Sequence, residues 1–351
     1  MPLHRLPEKR STARIRHPLG HPGRLCRFWV AFVVLLGVLA PWRVAAAQQP
    51  AKAARIGVLR PAPDDRDFRR NFDGFRQALR EGGYVEGTNL AVEYRVRPGS
   101  PQEILALAED LVRLKVDVLL AFSPAALHAA AKATTSIPIV AFDLETDPIA
   151  AGYAVTLASP GGNVTGVFLD FPELSGKWLE LLKEAVPKVS RVAVLWDPAT
   201  GPVQVKAAEA AARSLRLQLR PLEARSPDDF EGAFRAAARE RAGAVLVLGG
   251  PVFYSARKQI ADLAAKHRLP AIMPFPDFAG DGGLMAYGPD LTSLYRQAGT
   301  IAVKILKGRK PGDLPVERPT RFQFAVNLRT AKALGLKLPP SILVRADQMI
   351  Q

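Results

Sequence analysis

Cysteine is almost absent from this chain. Its 351 residues include a single cysteine, Cys26, which lies in a basic segment near the N-terminus. One cysteine cannot form a disulfide within the chain, and it cannot supply the paired thiolates of a structural zinc site. Histidine is scarce too, because only His128 and His267 lie beyond residue 47. We therefore predict that no metal or cofactor is bound and that stability comes from buried apolar surface.

Catalytic motifs are missing as well. The sequence contains no G-x-S-x-G, G-x-G-x-x-G or H-E-x-x-H pattern. In the stretch 158-ASPGGNVTGV-167, Gly161 and Gly166 have the spacing of a phosphate loop, but Val167 occupies the position of its lysine. We interpret Gly161-Gly162 as a turn into a strand over 163–169, and we predict that the protein is not an enzyme.

Long hydrophobic runs are limited to one, 28-FWVAFVVLLGVLA-40. This run is shorter than the roughly 20 residues that span a bilayer. Basic residues precede it and the small residues 45-AAA-47 follow it, a pattern typical of a cleaved secretory signal. We predict a signal peptide over 1–47 and a periplasmic location, with a retained membrane anchor as the alternative.

The basic charge of the chain is partly explained by this leader. The formal net charge is +15, and residues 1–47 hold eight basic residues and one acid, so +8 remains without them. The other basic residues are spread along predicted helices instead of forming one stripe. This distribution favours solvated helix faces over a nucleic-acid surface.

Strand-like apolar runs alternate with amphipathic helical stretches over most of the remaining sequence. Such alternation predicts an α/β fold with parallel strands and crossover helices. Phe68, Phe72, Phe75 and Leu79 share one face of the first predicted helix. The stretch 100-SPQE-103 predicts a capping box at the start of the second.

The second half of this pattern repeats the first. Three pairs of segments match at a nearly constant offset: 55-RIGVLRP-61 with 191-RVAVLWDP-198, 116-VDVLLAFSP-124 with 243-GAVLVLGGP-251, and 137-IPIVAFD-143 with 269-LPAIMPFPD-277. The repeat predicts two pseudo-symmetric lobes, each a doubly wound parallel sheet. Ligands of such sheets bind beyond the carboxyl ends of the strands, so we expect a small-molecule site in a cleft between the lobes.

Polar and aromatic residues near the ends of the predicted strands are the candidates for ligand binding. In the first lobe they are Ser123, Pro124, Ala125, Asp143 and Thr146. In the second lobe they are Asp197, Pro251, Phe278 and Tyr287, within or near the segments 250-GPVFY-254 and 275-FPDF-278.

Each candidate also has a structural interpretation, and these alternatives stay open at this stage. Ser123 can hold an anion together with the first N–H groups of the next helix, or it can be an ordinary N-cap. Asp143 and Asp197 can pair with an ammonium or hydroxyl group of a ligand, whereas Asp197-Pro198 is also a typical turn. Phe278 and Tyr287 can stack on a ligand ring or belong to the core.

Three stretches resemble a known family: 75-FRQALREGGYVEGTNLAVEYR-95, 137-IPIVAFDLETDPIAAGYAVTLASPGGNVTGV-167 and 282-GGLMAYGPDL-291. They are similar to ABC-transporter substrate-binding proteins related to the tryptophan/tyrosine-type binding proteins. The resemblance implies the type 1 periplasmic-binding fold. It also implies the extracytoplasmic component of an ABC importer, which closes two lobes around a small solute, such as an amino acid, and delivers it to a membrane permease. We expect a monomer without a nucleic-acid partner.

The family fold further implies a hinge of three strands, near 168–172, 288–290 and 319–322. Lobe 1 would then comprise 52–168 plus 290–319, and lobe 2 would comprise 169–289 plus 320–351. A helix over 290–308 would return to lobe 1. Within the family, Ser123-Pro124-Ala125 matches a hydroxyl-Pro-Ala start that follows the third strand.

Two other functions remain as alternatives. One is a ligand sensor of the same fold that signals to a membrane receptor, and the other is an exported α/β enzyme. The loop 60-RPAPDDRDF-68 is charged where relatives carry small residues. This difference argues against an aromatic amino acid as the solute.

Overall fold

Strands and helices alternate along the chain as the apolar periodicity predicts. The computed structural model describes residues 53–169 and 171–351, so the predicted signal peptide over 1–47 and its alternative, a retained anchor, lie outside the described residues. In the described part of the chain the strands form two separate sheets. No helix of that part is both long and apolar enough to cross a bilayer.

The first sheet, which defines lobe 1, has five strands. They are β1 (Ala54–Arg60), β2 (Leu90–Val96), β3 (Val118–Phe122), β4 (Ile139–Asp143) and β5 (Val164–Phe168). Their spatial order is β2-β1-β3-β4-β5, and every pair is parallel. Strands β3, β4 and β5 are buried along their whole length, which explains their continuous apolar sequences.

The second sheet, which defines lobe 2, has seven strands. They are β6 (Arg191–Trp196), β7 (Gln218–Glu223), β8 (Ala244–Val247), β9 (Ala271–Met273), β10 (Met285–Pro289), β11 (Phe322–Asn327) and β12 (Gln348–Ile350). The order β7-β6-β8-β9-β10 repeats the order of lobe 1 position by position, which confirms the predicted repeat.

Lobe 2 departs from an all-parallel sheet at one pairing, that of β10 with β11. Strand β11 runs antiparallel to β10, with Pro289 opposite Phe322. The chain leaves lobe 2 at the carboxyl end of β10 and re-enters it beside that same end. Strand β11 therefore runs along β10 in the opposite direction. Strand β12 then pairs parallel to β11.

The helices of the described residues are, in chain order, α1 (Arg66–Glu81), α2 (Pro101–Arg113), α3 (Pro124–Ala133), α4 (Phe171–Ala185), α5 (Val203–Ser214), α6 (Pro227–Arg239), α7 (Pro251–Ser255), α8 (Arg257–Lys266), α9 (Asp277–Gly280), α10 (Leu291–Leu306), α11 (Leu328–Ala333) and α12 (Pro340–Arg345). The predicted apolar face of α1 is buried. Helix α2 begins with the predicted capping box, in which Ser100 and Glu103 exchange side-chain to backbone hydrogen bonds.

The chain passes between the two sheets three times. It leaves lobe 1 after β5, returns between β10 and α10, and leaves again before β11. Helix α10 packs against α1 and the strands of lobe 1, as predicted for the helix over 290–308. The segment around Glu317, which precedes the third passage, lies beside β5 like a short strand. There the backbone N–H of Phe168 donates to the carbonyl of Glu317 at 3.0 Å. The boundary residues assigned to the two lobes stay predictions.

The glycine-rich stretch 158–167 is a turn into a strand, as interpreted from the sequence. Gly161 has a φ of +81°, in the left-handed region that glycine favours. Gly166 lies inside β5 with a φ of +147°, and a Cβ there would come within 2.1 Å of the Ala141 carbonyl oxygen in β4. The glycine at position 166 therefore allows β4 and β5 to approach each other closely.

Candidate functional site

A cavity of about 80 Å³ lies where the carboxyl ends of the strands of both lobes face each other. One enclosed water needs about 10–15 Å³, so the cavity has room for a small organic molecule. The lining residues come from the ends of β1, β3 and β4, from the segments after β8 and β9, and from the start of α10. They are Arg60, Pro61, Ala62, Phe68, Phe122, Ser123, Phe142, Leu144, Glu145, Gly250, Pro251, Tyr254, Phe275, Leu291 and Tyr295.

Six of the fifteen residues that line the cavity are aromatic. In lobe 1, Tyr295 lies with its ring centroid 4.6 Å from Phe142 and 5.1 Å from Phe122. In lobe 2, Tyr254 and Phe275 meet edge to face at 4.8 Å. Such rings offer apolar area and negative π faces, so the wall suits an apolar or aromatic group, or a cation placed over a ring. Both lobes contribute to it.

Ser123 is the polar group between β3 and α3. Its φ of +87° is unusual for a residue with a side chain. Its hydroxyl is buried, makes no capping hydrogen bond and has no hydrogen-bond partner among the described residues. The ordinary N-cap alternative is therefore not what the structure shows. The first N–H groups of α3 have no partner within the helix, and together with the hydroxyl they suit an anion such as a carboxylate.

Glu145 brings an acidic group to the cavity wall. Glu145 forms no ion pair with a basic side chain within the described residues. Burial and, second, the charge of Asp143 raise the pKa of Glu145 to about 8. A carboxyl group in this setting favours a ligand that brings a cation or another hydrogen-bond donor.

Arg60 brings the opposite charge, but its own loop already engages it. Its guanidinium lies 4.6 Å from the centroid of the Phe68 ring. One Nη donates to the carbonyl of Pro63, and the other lies 3.7 Å from Asp65 Oδ2. The side chain of Arg60 is only 8% exposed. Arg60 is therefore held in the cavity wall by its own loop.

Among the residues predicted from the sequence, Ser123 and Pro251 line the cavity. Pro124 and Ala125 lie beside it, in a groove that also includes Ala199 of lobe 2. Asp143 is fully buried, and its Oδ1 accepts the backbone N–H groups of Glu145 and Thr146, each at 3.0 Å. Burial raises the pKa of Asp143, against these hydrogen bonds.

The remaining candidates of lobe 2 do not line this cavity. Asp197 accepts the N–H of Ala199 at 2.9 Å and so makes the turn that its sequence also suggested. Phe278 is completely buried in the core of lobe 2. Tyr287 stacks on Phe322, with ring centroids 5.9 Å apart. Contact of these residues with a solute stays a prediction.

Several cavity residues were missed from the sequence. Glu145 follows Asp143 by two positions, and Tyr254 and Phe275 lie in the segments 250–254 and 275–278, which hold the candidates Pro251 and Phe278. Alternation along β4 carried a usable signal, because Phe142 and Leu144 share the face opposite to Asp143. The sequence around Tyr295 carried no such signal, because α10 reaches the cavity only through contacts between distant segments of the chain.

Comparisons with known proteins agree with this geometry. The family described as ABC transporter substrate binding protein matches residues 56–350. A tyrosine-binding protein of Clostridioides difficile (strain R20291) is 27% identical over 269 residues, which cover 75% of this chain and 76% of the relative.

Two solved structures show the same fold. The ABC domain from Streptococcus pneumonia in complex with L-Trp has a TM-score of 0.77 and 25% identity, covering 85% of this chain and 99% of that one. A conserved domain protein from Vibrio cholerae O1 biovar El Tor strain N16961 has a TM-score of 0.76 and 27% identity, covering 85% and 100%. The predicted type 1 periplasmic-binding fold is thereby confirmed, and the chain belongs to the family of ABC transporter substrate-binding proteins.

Proposed function

We propose that the protein is the extracytoplasmic solute-binding component of an ABC importer. It closes its two lobes around a small solute and delivers that solute to a membrane permease. The observation that carries this proposal is the cavity itself, because its wall takes side chains from both lobes. A solute that contacts both walls stabilises the arrangement in which the lobes meet. The proposal includes a periplasmic location, a monomeric state and no catalysis.

We further propose that the solute is an amino acid with an aromatic or bulky apolar side chain. The names of two similar proteins, one tyrosine-binding and one in complex with L-Trp, support this class. The cavity offers a counterpart for each part of such a molecule. Its aromatic wall suits the side chain, Ser123 with the start of α3 suits the carboxylate, and Glu145 suits the ammonium group.

The charged loop 60–68 does not weigh against this solute as the sequence suggested. Its three aspartates, Asp64, Asp65 and Asp67, do not line the cavity. Asp65 caps α1, and Asp67 pairs with Arg257 of lobe 2. Of the charged residues of the loop only Arg60 lines the cavity, and Pro63 and Asp65 hold it. Asp65 and Asp67 therefore serve the helix start and the contact between the lobes.

Calorimetric titration with L-tryptophan, L-tyrosine and L-leucine tests the proposal, together with mass spectrometry of any solute carried through purification. We expect one binding site and weaker binding by Ser123→Ala, which removes a charge-assisted hydrogen bond worth about 1.5–3 kcal/mol. Ser175→Ala is the matched control, because Ser175 also has a buried hydroxyl without a partner but does not line the cavity. Absence of binding by every amino acid, with a different compound carried through purification, would refute the proposed solute class.

A further inference from the structure

Tyr254 joins the cavity to the contact between the two lobes. Tyr254 lines the cavity, whereas the two residues that its hydroxyl binds do not line it. The Tyr254 hydroxyl accepts a hydrogen bond from Asn71 Nδ2 of lobe 1 at 3.0 Å and donates to Asp277 Oδ2 of lobe 2 at 3.1 Å. One hydroxyl group thus bonds to both lobes.

Asn71 carries this connection to the hinge. It is only 3% exposed, and its Oδ1 accepts a hydrogen bond from Thr292 Oγ1 at 3.1 Å. Thr292 lies in the first turn of α10, immediately after the second passage of the chain between the lobes. A continuous series of hydrogen bonds therefore links the hinge, α1 and the cavity wall.

Two ion pairs cross between the lobes beside Tyr254, in opposite senses. Arg257 of lobe 2 lies 2.6 Å from Asp67 of lobe 1, and Arg70 of lobe 1 lies 2.7 Å from Asp277 of lobe 2. The guanidinium of Arg257 also stacks 4.7 Å from the centroid of the Tyr254 ring. Its side chain is 9% exposed, so this pair is less screened by water and salt than a surface pair.

We propose that Tyr254 is a positioning residue for solute binding, and that it acts through a latch formed by Asp67, Arg70, Asn71, Tyr254, Arg257 and Asp277. The latch consists of contacts that do not involve the solute. These contacts stabilise the closed arrangement, in which the two lobes meet. A protein that spends more time in the binding-competent arrangement binds its solute more tightly, in proportion to that fraction. The proposal rests on the proposed function, in which the lobes close around a solute, and it adds the contacts that set the balance between open and closed lobes without solute.

The test measures the distance between the lobes without added solute. Nitroxide labels are placed on one exposed residue of each lobe by Gln102→Cys and Lys258→Cys, with Cys26→Ser to remove the native thiol. Distance distributions from pulsed electron spin resonance are then compared for the parent protein and for Tyr254→Phe. This substitution keeps the ring in the cavity wall and removes only the hydroxyl group.

We expect Tyr254→Phe to shift the distribution to longer distances, with about a tenfold rise in the ratio of open to closed molecules. Tyr295→Phe is the matched control, because Tyr295 lines the same cavity and its hydroxyl forms no hydrogen bond between the described parts of the two lobes. Asp67→Asn is a second variant on a partly exposed residue, and it should shift the distances in the same direction by removing the pair with Arg257.

Unchanged distances in both Tyr254→Phe and Asp67→Asn, with circular dichroism like that of the parent, would overturn the latch. An equal shift in Tyr295→Phe would overturn it too, because the effect would then not depend on bonds between the lobes. The readout needs no solute, so failure of the latch and failure of the proposed function give separate results.

Discussion

The rings of Phe142 and Tyr295 lie with their centroids 4.6 Å apart in the wall of the cavity. Phe142 belongs to β4, whereas Tyr295 belongs to α10, which the chain reaches only after it has passed through lobe 2. The aromatic wall of lobe 1 is therefore completed by a segment that follows the second passage between the lobes. Selectivity for an aromatic solute should depend on this pair.

Phe142→Leu should lower the preference for an aromatic solute. An aromatic contact is worth about 0.5–1.5 kcal/mol beyond its buried area. The ratio of L-tryptophan to L-leucine affinity should therefore fall by about two- to tenfold, as measured by calorimetry. Phe278→Leu is the control, because that ring is buried away from the cavity. A fall of the same size in the control would place Phe278 in the binding site after all.

Glu145→Gln should change how the stability of the protein depends on pH. The pKa of Glu145 is raised from 4.5 to about 8 in the folded protein. Between these two values the unfolded chain loses a proton that the folded protein keeps, so stability falls as the pH rises through this window. Between pH 5 and pH 8, the melting temperature of Glu145→Gln should fall less than that of the parent protein. The exposed Glu209→Gln should follow the parent profile, and a variant profile parallel to the parent would contradict the prediction.

The same carboxyl group should make solute binding depend on pH. An ammonium group binds best to ionised Glu145, so the affinity for L-tryptophan should rise as the pH increases toward about 8. Calorimetry of Glu145→Gln should give weaker binding with a flatter pH profile. Affinity that is independent of pH in the parent protein would remove Glu145 as the partner of the ammonium group.

Gly166→Ala should destabilise lobe 1. The φ of +147° is a conformation that other residues avoid, at a cost of about 1–3 kcal/mol, and the new Cβ would meet the Ala141 carbonyl oxygen. Denaturant unfolding should show that the free energy of unfolding is lower by at least this amount. Gly162→Ala is the control within the same stretch, because no atom lies within 4 Å of its added Cβ. Equal stability of the two variants would contradict the close approach of β4 and β5.

Asp197→Ala should lower stability without changing affinity. The carboxylate accepts the N–H of Ala199 and so fixes the turn after β6, a contribution of about 1 kcal/mol. Since Asp197 does not line the cavity, calorimetry with L-tryptophan should give the parent value. A clear loss of affinity would instead support the role in ligand binding that the sequence suggested.

Much of the fold could be predicted because its signals are local. The pattern 55-RIGVL-59 and its repeat at 191-RVAVL-195 identify matching buried strands, and matching strands predict matching sheets. The antiparallel β11 could not be predicted in this way. The direction of β11 depends on where the chain re-enters lobe 2. The residues near β11 in the sequence do not encode that position.

The site was predicted less completely, for a related reason. Ser123 was found because it follows a buried strand and precedes a helix, which is a local pattern. Tyr254 and Tyr295 face the cavity through contacts between distant segments. Asp143 was chosen for its charge, but the alternation of side chains along β4 turns Phe142 to the cavity and Asp143 away from it.

The three passages of the chain also determine how the protein can be divided. Each lobe is built from separate stretches of sequence, because α10 lies in lobe 1 while both β10 and β11 lie in lobe 2. Neither lobe can therefore be expressed as one uninterrupted native segment. A protease that cuts a single connection gives two fragments, of which at least one carries parts of both lobes. Because α10 packs against α1 and the strands of lobe 1, one nick should not separate the halves of the binding cavity.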